Sequence, residues 1–263
     1  MLATPSSSCG CKLHNMPKEK KIVLRGLFSS LFCFLLFVLF VTSGYAQQRI
    51  TADVTTRQVM KNKSLRVERQ LFYTAGGNLV IHYTYPQEYY LTTNGLGEVT
   101  VYSPKNNEVT MFRDNTVSSQ SETMISFISP DHANLGLRQM GFVQKKSEKE
   151  GKRIVKTFIP TLKEDKIYSK VVVVSEQGEP IYCAFYDKNN NIVRKTYYAE
   201  YVRLPMVSFP TRITQISYGN VGDSIVRQEV YKNIKTSGFA SSEMFDFKVP
   251  ANAKRVNPFE SKK

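Results

Sequence analysis

The chain has no tryptophan, three histidines among 263 residues, and four cysteines. Cys9, Cys11 and Cys33 all precede residue 47, so Cys183 stands alone in the remainder, and a single thiol closes no internal disulfide. Beyond residue 46 there is no Cys-x-x-Cys or His-x-x-x-His spacing to hold a metal, no Gly-x-Ser-x-Gly elbow and no phosphate-cradling glycine loop. His82 falls on the strand face opposite Ile81 and Tyr83, and His132 follows Asp131 at an expected helix start. A Cys183–His82 nucleophile pair is the one enzymatic option; the other reading of Cys183 is a small buried residue alternating with Ile181 and Phe185. The second is the expectation: no catalysis, no metal and no cofactor. Without disulfide or metal, the domain has to be held by its apolar core.

The N-terminal segment sets the compartment. Lys18, Lys20, Lys21 and Arg25 precede an apolar run from Leu27 to Val41, which gives way to Thr42, Ser43, Gly44, Tyr45 and Ala46. This order of basic, apolar and small residues reads as a secretory signal cleaved before Gln47. An uncleaved anchor is the alternative, and the length of the run counts against it, since about 20 apolar residues span a bilayer. No cysteine follows the run where a lipid would attach. Met16, followed by Pro17 and the basic stretch, makes a normal start, so residues 1–15 read as an over-extended start, residues 1–46 as signal peptide and residues 47–263 as one periplasmic domain.

The net charge is +14, and cleavage would remove five Lys or Arg and one Glu, leaving +10 over 217 residues. In an exported protein that surplus points to an anionic membrane surface or acidic proteins and not to nucleic acid. The densest cluster, Lys145, Lys146, Lys149, Lys152 and Arg153, is broken by Glu148, Glu150 and Gly151 and reads as a solvated hairpin tip.

From Ile50 onward the apolar pattern has period two, as in Val67, Arg69, Leu71, Tyr73 and again in Leu79, Ile81, Tyr83, Tyr85. Turn residues at Gly76-Gly77-Asn78, Pro86, Asn94-Gly95 and Pro104-Lys105-Asn106-Asn107 space the strands as antiparallel hairpins. One interruption, from Ser118 to Met140, has helical spacing in Met124, Phe127 and Ile128. There, Ser129 and Pro130 open a second short helix carrying Leu135, Leu137 and Met140, with Gly141 as its cap. Strands resume over 154–159, 166–174, 180–186, 192–202, 212–218 and 224–235, and residues 244–250 read as a last short strand stopped by Pro250.

The stretch GNLVIHYTYPQEYYLTTNGLGEVTVYSPKNNEV, residues 77–109, resembles the LolA/LolB-like carriers that move lipoproteins across the bacterial periplasm. The resemblance lies in the order strand, Pro86, strand, Asn94-Gly95, and a strand ending in Val101-Tyr102-Ser103-Pro104. The helical interruption stands where that family places lid helices, and FDFKVPANAKRV, residues 245–256, is similar to its closing strand and proline. The resemblance implies a mainly β fold, a single curved antiparallel sheet forming an unclosed β-barrel, with short helices covering the concave side. Two departures stand out. Thr74-Ala75-Gly76-Gly77 occupies the place of the family's lid-locking Arg-Pro pair, so no lid-locking arginine can be assigned, and residues 50–60 read as a strand where the family has an amphipathic helix.

The expected function is a carrier or chaperone that shields acyl chains of lipoproteins, or a lipid, on the way to the outer membrane. An acyl chain costs about 0.8 kcal/mol per exposed CH₂, so transport through water requires an apolar container. The expected lining is Leu71, Ile81, Tyr83, Leu91, Val99, Val101, Met111, Met124, Phe127, Ile128, Leu135, Leu137 and Met140, chosen by alternation and helical spacing; ordinary core packing is the other reading of each methionine. Expected partners are inner- and outer-membrane transfer proteins and an anionic membrane surface, with the carrier a monomer. The alternative is an envelope regulatory or scaffold protein that uses the same bowl to sense a lipid-bearing or protein partner.

Overall fold

The structure is a computed structural model that describes residues 49–61, 63–114, 117, 122–128, 132–161, 167–205, 207–219 and 223–257. The export segment, and residues 118–121 and 129–131 of the expected helical region, lie outside the described residues. The strands are β1 (Arg49–Met60), β2 (Lys63–Thr74), β3 (Leu79–Tyr85), β4 (Tyr89–Thr93), β5 (Glu98–Ser103), β6 (Glu108–Arg113), β7 (Phe142–Glu150) and β8 (Arg153–Pro160). They continue as β9 (Lys170–Glu176), β10 (Glu179–Tyr186), β11 (Ile192–Arg203), β12 (Ser208–Tyr218), β13 (Ser224–Thr236) and β14 (Lys254–Arg255).

All belong to one curved sheet in the order β14-β6-β5-β4-β3-β2-β1-β13-β12-β11-β10-β9-β8-β7. Two antiparallel meanders, β1 to β6 and β7 to β13, are joined at a central seam where β1 pairs with β13. The outermost strands do not meet, so the barrel is unclosed. β6 and β7 follow one another in the chain yet lie toward opposite edges. The link between them therefore has to cross a face of the sheet.

It crosses the inner face. Its helix α1 (Thr123–Ile128) buries Met124 and Phe127 in a core with Ile50 and Val54 of β1, Leu71 of β2, Ile81 of β3, and Phe209 and Ile213 of β12. Phe127 meets Phe209 edge-on at 5.6 Å, and Phe209 meets Tyr231 the same way at 5.0 Å. A second inner cluster, with Phe142, Phe158, Val171, Cys183 and Phe185, fills the other meander. The outer face is covered over β2 and β3, where Ala240 and Phe245 pack on Phe72 and Val80. Phe247 then stacks on Tyr90 at 4.5 Å, and β14 closes in parallel beside Glu108 and Val109 of β6.

Three expectations are corrected. The second helix reduces to a 3-10 turn at His132–Asn134, because left-handed backbone at Leu135 and Gly136 (φ 53° and 68°) ends a helix there. The Lys145–Lys149 cluster belongs to the edge strand β7, and the hairpin tip is the turn at residues 151–152. All eight β7 side chains after Phe142 are exposed and seven of them are charged or polar, which blunts an otherwise open edge. The closing strand is Lys254–Arg255, after Pro250 and not before it, while Glu243–Asp246 form a 3-10 turn capped by the Ser242 side chain.

Phe209, fully buried between α1 and β13, tests this core. Phe209→Ala is expected to cost about 3–5 kcal/mol in urea unfolding, whereas Met111→Ala, at a side chain 57% exposed, is expected to stay within about 0.5 kcal/mol.

Candidate functional site

Alternation places Arg69 on the same inward face as Val67, Leu71 and Tyr73, and β1 confirms the register by pairing Ala52 with Leu71 and Val54 with Arg69. A guanidinium in that position needs anionic partners. Arg69, 8% exposed, donates from Nη1 and Nη2 to Glu122 Oε2 and Oε1, each at 3.0 Å, and from Nη2 to Glu229 Oε1 at 3.1 Å. The Tyr231 hydroxyl lies 3.1 Å from Glu229 Oε2 and 3.3 Å from Glu122 Oε1, and its single proton serves one of them at a time. Arg227 also donates to Glu229. Burial alone would lower the Arg69 pKa, but Glu122 and then Glu229 hold it above the ordinary arginine value. Burial first, and then Glu229 and Glu122, push the Tyr231 phenol well above its ordinary range.

Glu122 directly precedes α1, so its two-pronged pair with Arg69 ties the crossover to the sheet. An arginine that holds the helical segment can thereby be assigned. The residue sits inside β2 and not in the 74–77 turn.

Beside this cluster, between the crossover and β10 to β13, lies a hollow of about 230 Å³. Its polarity is graded along the strands. In β11, Arg194, Thr196 and Tyr198 face inward in turn, opposite Ser217, Gln215 and Ile213 of β12. Leu135 and Leu137 of the crossover and Cys183 of β10, level with Thr196, add apolar lining, while Glu229 lies opposite Ile213 and Arg227 opposite Gln215. Arg194 lies at one end, its Cζ 3.8 Å from the centre of the Phe185 ring. A second hollow of about 180 Å³ lies on the far side of Arg69, against Gln58, Leu65, Val67 and Tyr83, and Arg227 borders both.

The turns following β1, β3, β5, β10 and β12 lie at one end of the sheet, toward which Arg194 stands. That rim exposes Val59, Met60, Leu65, Tyr85 and Tyr218. A depression of about 520 Å³ there is lined by Met60, Tyr218 and Ile225 together with Lys61 and Lys63.

The thirteen lining residues read from the sequence separate into four groups. Leu71, Ile81, Met124 and Phe127 share the inner core, with Tyr83, Leu91, Ile128 and Leu135 packed half-buried against it. Val99 and Val101 face inward opposite Thr93 and Leu91. Leu137 belongs to the second cluster, and it borders the 230 Å³ hollow together with Leu135 and Met140. Met111 lies on the other face, opposite Thr100 on β5, because β6 pairs Thr110 and not Met111 with the inward Val101.

The charged residues Arg69, Glu122, Arg194, Arg227 and Glu229 were not among them. The signal for Arg69 is the arginine standing in the apolar series Val67, Leu71, Tyr73. Cys183 faces the hollow, and burial pushes its thiol up to about 12 despite the lowering effect of Arg194. His82 is on the outer face, stacked on Tyr90 at 4.3 Å, so the two do not form a nucleophile pair.

No protein-family model and no curated protein matches the chain. Among solved structures it is similar to a DUF1329 family protein from Desulfovibrio piger ATCC 29098, with 15% identity over 76% of this chain and 90% of that one and a TM-score of 0.50. It is also similar to a LolA superfamily protein from Nitrosomonas europaea (14% identity, 71% and 85% covered, TM-score 0.48). A putative outer membrane lipoprotein-sorting protein domain from Vibrio parahaemolyticus gives 15% identity, 76% and 90% coverage and a TM-score of 0.47. At these identities the likeness is one of fold.

Replacing Arg69 by Met would leave the buried Glu122 without a cation and Glu229 with Arg227 alone, at an expected cost of about 3–5 kcal/mol in urea unfolding. The milder Glu122→Gln keeps the crossover's shape and removes its charge. Amide exchange over residues 123–128 is then expected to quicken selectively, while β8 to β10 keep wild-type protection.

Proposed function

We propose that the protein is an exported carrier that shelters an acyl chain of a lipoprotein or lipid beneath the crossover while it passes through the envelope toward the outer membrane. The observation that carries this reading is the partly apolar hollow under a segment whose Glu122 pairs with the buried Arg69 of the sheet. At about 230 Å³ the hollow exceeds the ~150 Å³ apolar cavity that takes up benzene and falls below the ~300–1,000 Å³ of drug-sized sites. It suits one alkyl chain. Bulkier cargo would need α1 to leave Met124 and Phe127's places in the core, and the Arg69–Glu122 contact is what resists that movement.

The basic and apolar segment at residues 18–46 supports export, with cleavage before Gln47. The rim supports a membrane as the place of loading, since Met60, Leu65 and Tyr218 are exposed among Lys61 and Lys63. Apolar side chains flanked by lysines favour an anionic bilayer surface, each nearby cation adding about 1 kcal/mol.

Two measurements test the reading. Mass spectrometry of the protein after mild extraction is expected to find acyl species bound to it, and titration with fatty amphiphiles is expected to saturate at one per chain; protein that carries none and binds none defeats the carrier. Separately, Met60→Asp with Leu65→Asp is expected to lower association with vesicles containing phosphatidylglycerol at least tenfold, with unfolding unchanged. Equal association of variant and wild type would remove the rim from the reading.

A further inference from the structure

The five charged groups around the 230 Å³ hollow do not balance. Arg69 and Arg227 share Glu122 and Glu229, two cations against two anions. Arg194 is left over. Its contacts among the described residues are the faces of Phe185 and Tyr168, at 3.8 and 5.5 Å, with no carboxylate and no hydrogen-bond acceptor on its N–H groups. A stacked guanidinium keeps its donors in the plane of the fork, where they match the two oxygens of a carboxylate. The positive field of Arg194 is felt inside the hollow, where it opposes the rise of both the Cys183 and the Tyr198 pKa values.

Position adds direction. Arg194 and Tyr198 face the hollow from the same strand, four residues apart, which is roughly 13 Å of extended chain. The Arg194 end lies toward the rim, and Tyr198 and Ile213 line the hollow farther in, with Glu229 opposite Ile213. A ligand that fills this space carries one negative charge at one end and a single apolar tail at the other.

We propose that the hollow selects a single-chain fatty carboxylate, with Arg194 binding the head group and the tail lying against Tyr198, Ile213 and Leu137. This rests on the carrier reading and narrows its cargo. Two-chain phospholipids are disfavoured by volume, and neutral amphiphiles leave Arg194 unpaired in a half-buried place.

Calorimetric titration of the purified protein with decanoate and with decanol separates the two claims. The wild type is expected to prefer decanoate by about tenfold to a hundredfold, the range of a hydrogen bond to a charged group. Arg194→Gln is expected to bind decanol as the wild type does and to lose the preference, and Arg194→Lys to recover part of it. Equal wild-type affinity for acid and alcohol overturns the assignment of Arg194 and leaves the carrier standing. Binding of neither ligand overturns both. An Arg194→Gln variant that loses acid and alcohol alike, with Arg194→Lys no better, overturns the head-group role in favour of a purely packing one.

Discussion

A guanidinium buried in an aliphatic face has to be met by carboxylates, and in this protein the carboxylates that meet Arg69 come from separate elements. Glu229 belongs to the sheet, at the seam strand β13, and Glu122 belongs to the crossover. Desolvating three charges is expensive, and a set of well-packed aliphatic side chains would hold the same space at no greater cost. What the ionic arrangement adds is position. It fixes where the crossover begins to descend onto the inner face, and so decides that Met124 and Phe127 join the core between β1 to β3 and β12 while the hollow is left beside β10 to β13. Removing the charge from one end of that contact weakens a segment and leaves the sheet intact.

The sheet order makes such a segment unavoidable. Two meanders joined at β1 and β13 place β6 and β7 toward opposite edges, and a link across the inner face must either fill the bowl or roof it. This chain does both. Between β1 to β3 and β12 the link packs solidly, and Leu71 and Ile81, expected there as lining, share a core with the protein's own helix. Farther along the second meander it leaves a space beside Arg194, Thr196 and Gln215, whose polarity does not invite close packing by Leu135 or Leu137. The space persists where apolar roof meets polar wall.

Much of this was legible from period-two alternation and turn residues. β1, β2, β3 and the strands from β8 to β13 lie within a few residues of where those signals put them, because each buries one face and a one-residue slip would expose it. The curved unclosed sheet was legible through the resemblance of residues 77–109. β7 was not, because Val143 is followed by charged residues down to Glu150, and an edge strand defended by charge has no apolar period to read. The second helix was overread for a related reason: Leu135, Leu137 and Met140 have the right types, but the backbone turns left-handed at Leu135, which composition does not reveal. Met111 was misplaced by one residue of register. The charged cluster was hardest, since Glu122 and Glu229 are 107 positions apart and meet through Arg69 and Tyr231. Even there, the arginine in an apolar series was a visible anomaly.

The placement of Arg194 and the rim bears on how cargo would enter. If the tail lies deepest, against Tyr198 and Ile213, the head is the last part to pass the rim and the first to leave. Arg194 then sits where head group and membrane interface coincide, beside strand ends that expose Met60, Leu65 and Tyr218. A chain moving between a bilayer and this hollow need never expose its full length to water, which matters because each exposed methylene costs about 0.8 kcal/mol. The opposite orientation, head inward, would bring a carboxylate up to the Glu229 carboxylate, which lies opposite Ile213. Electrostatics and the hydrophobic effect therefore agree on one direction of binding, and the same direction keeps the Arg69–Glu122 contact clear of the ligand's charge. A single chain could come and go with that contact closed, and only a bulkier cargo would have to break it.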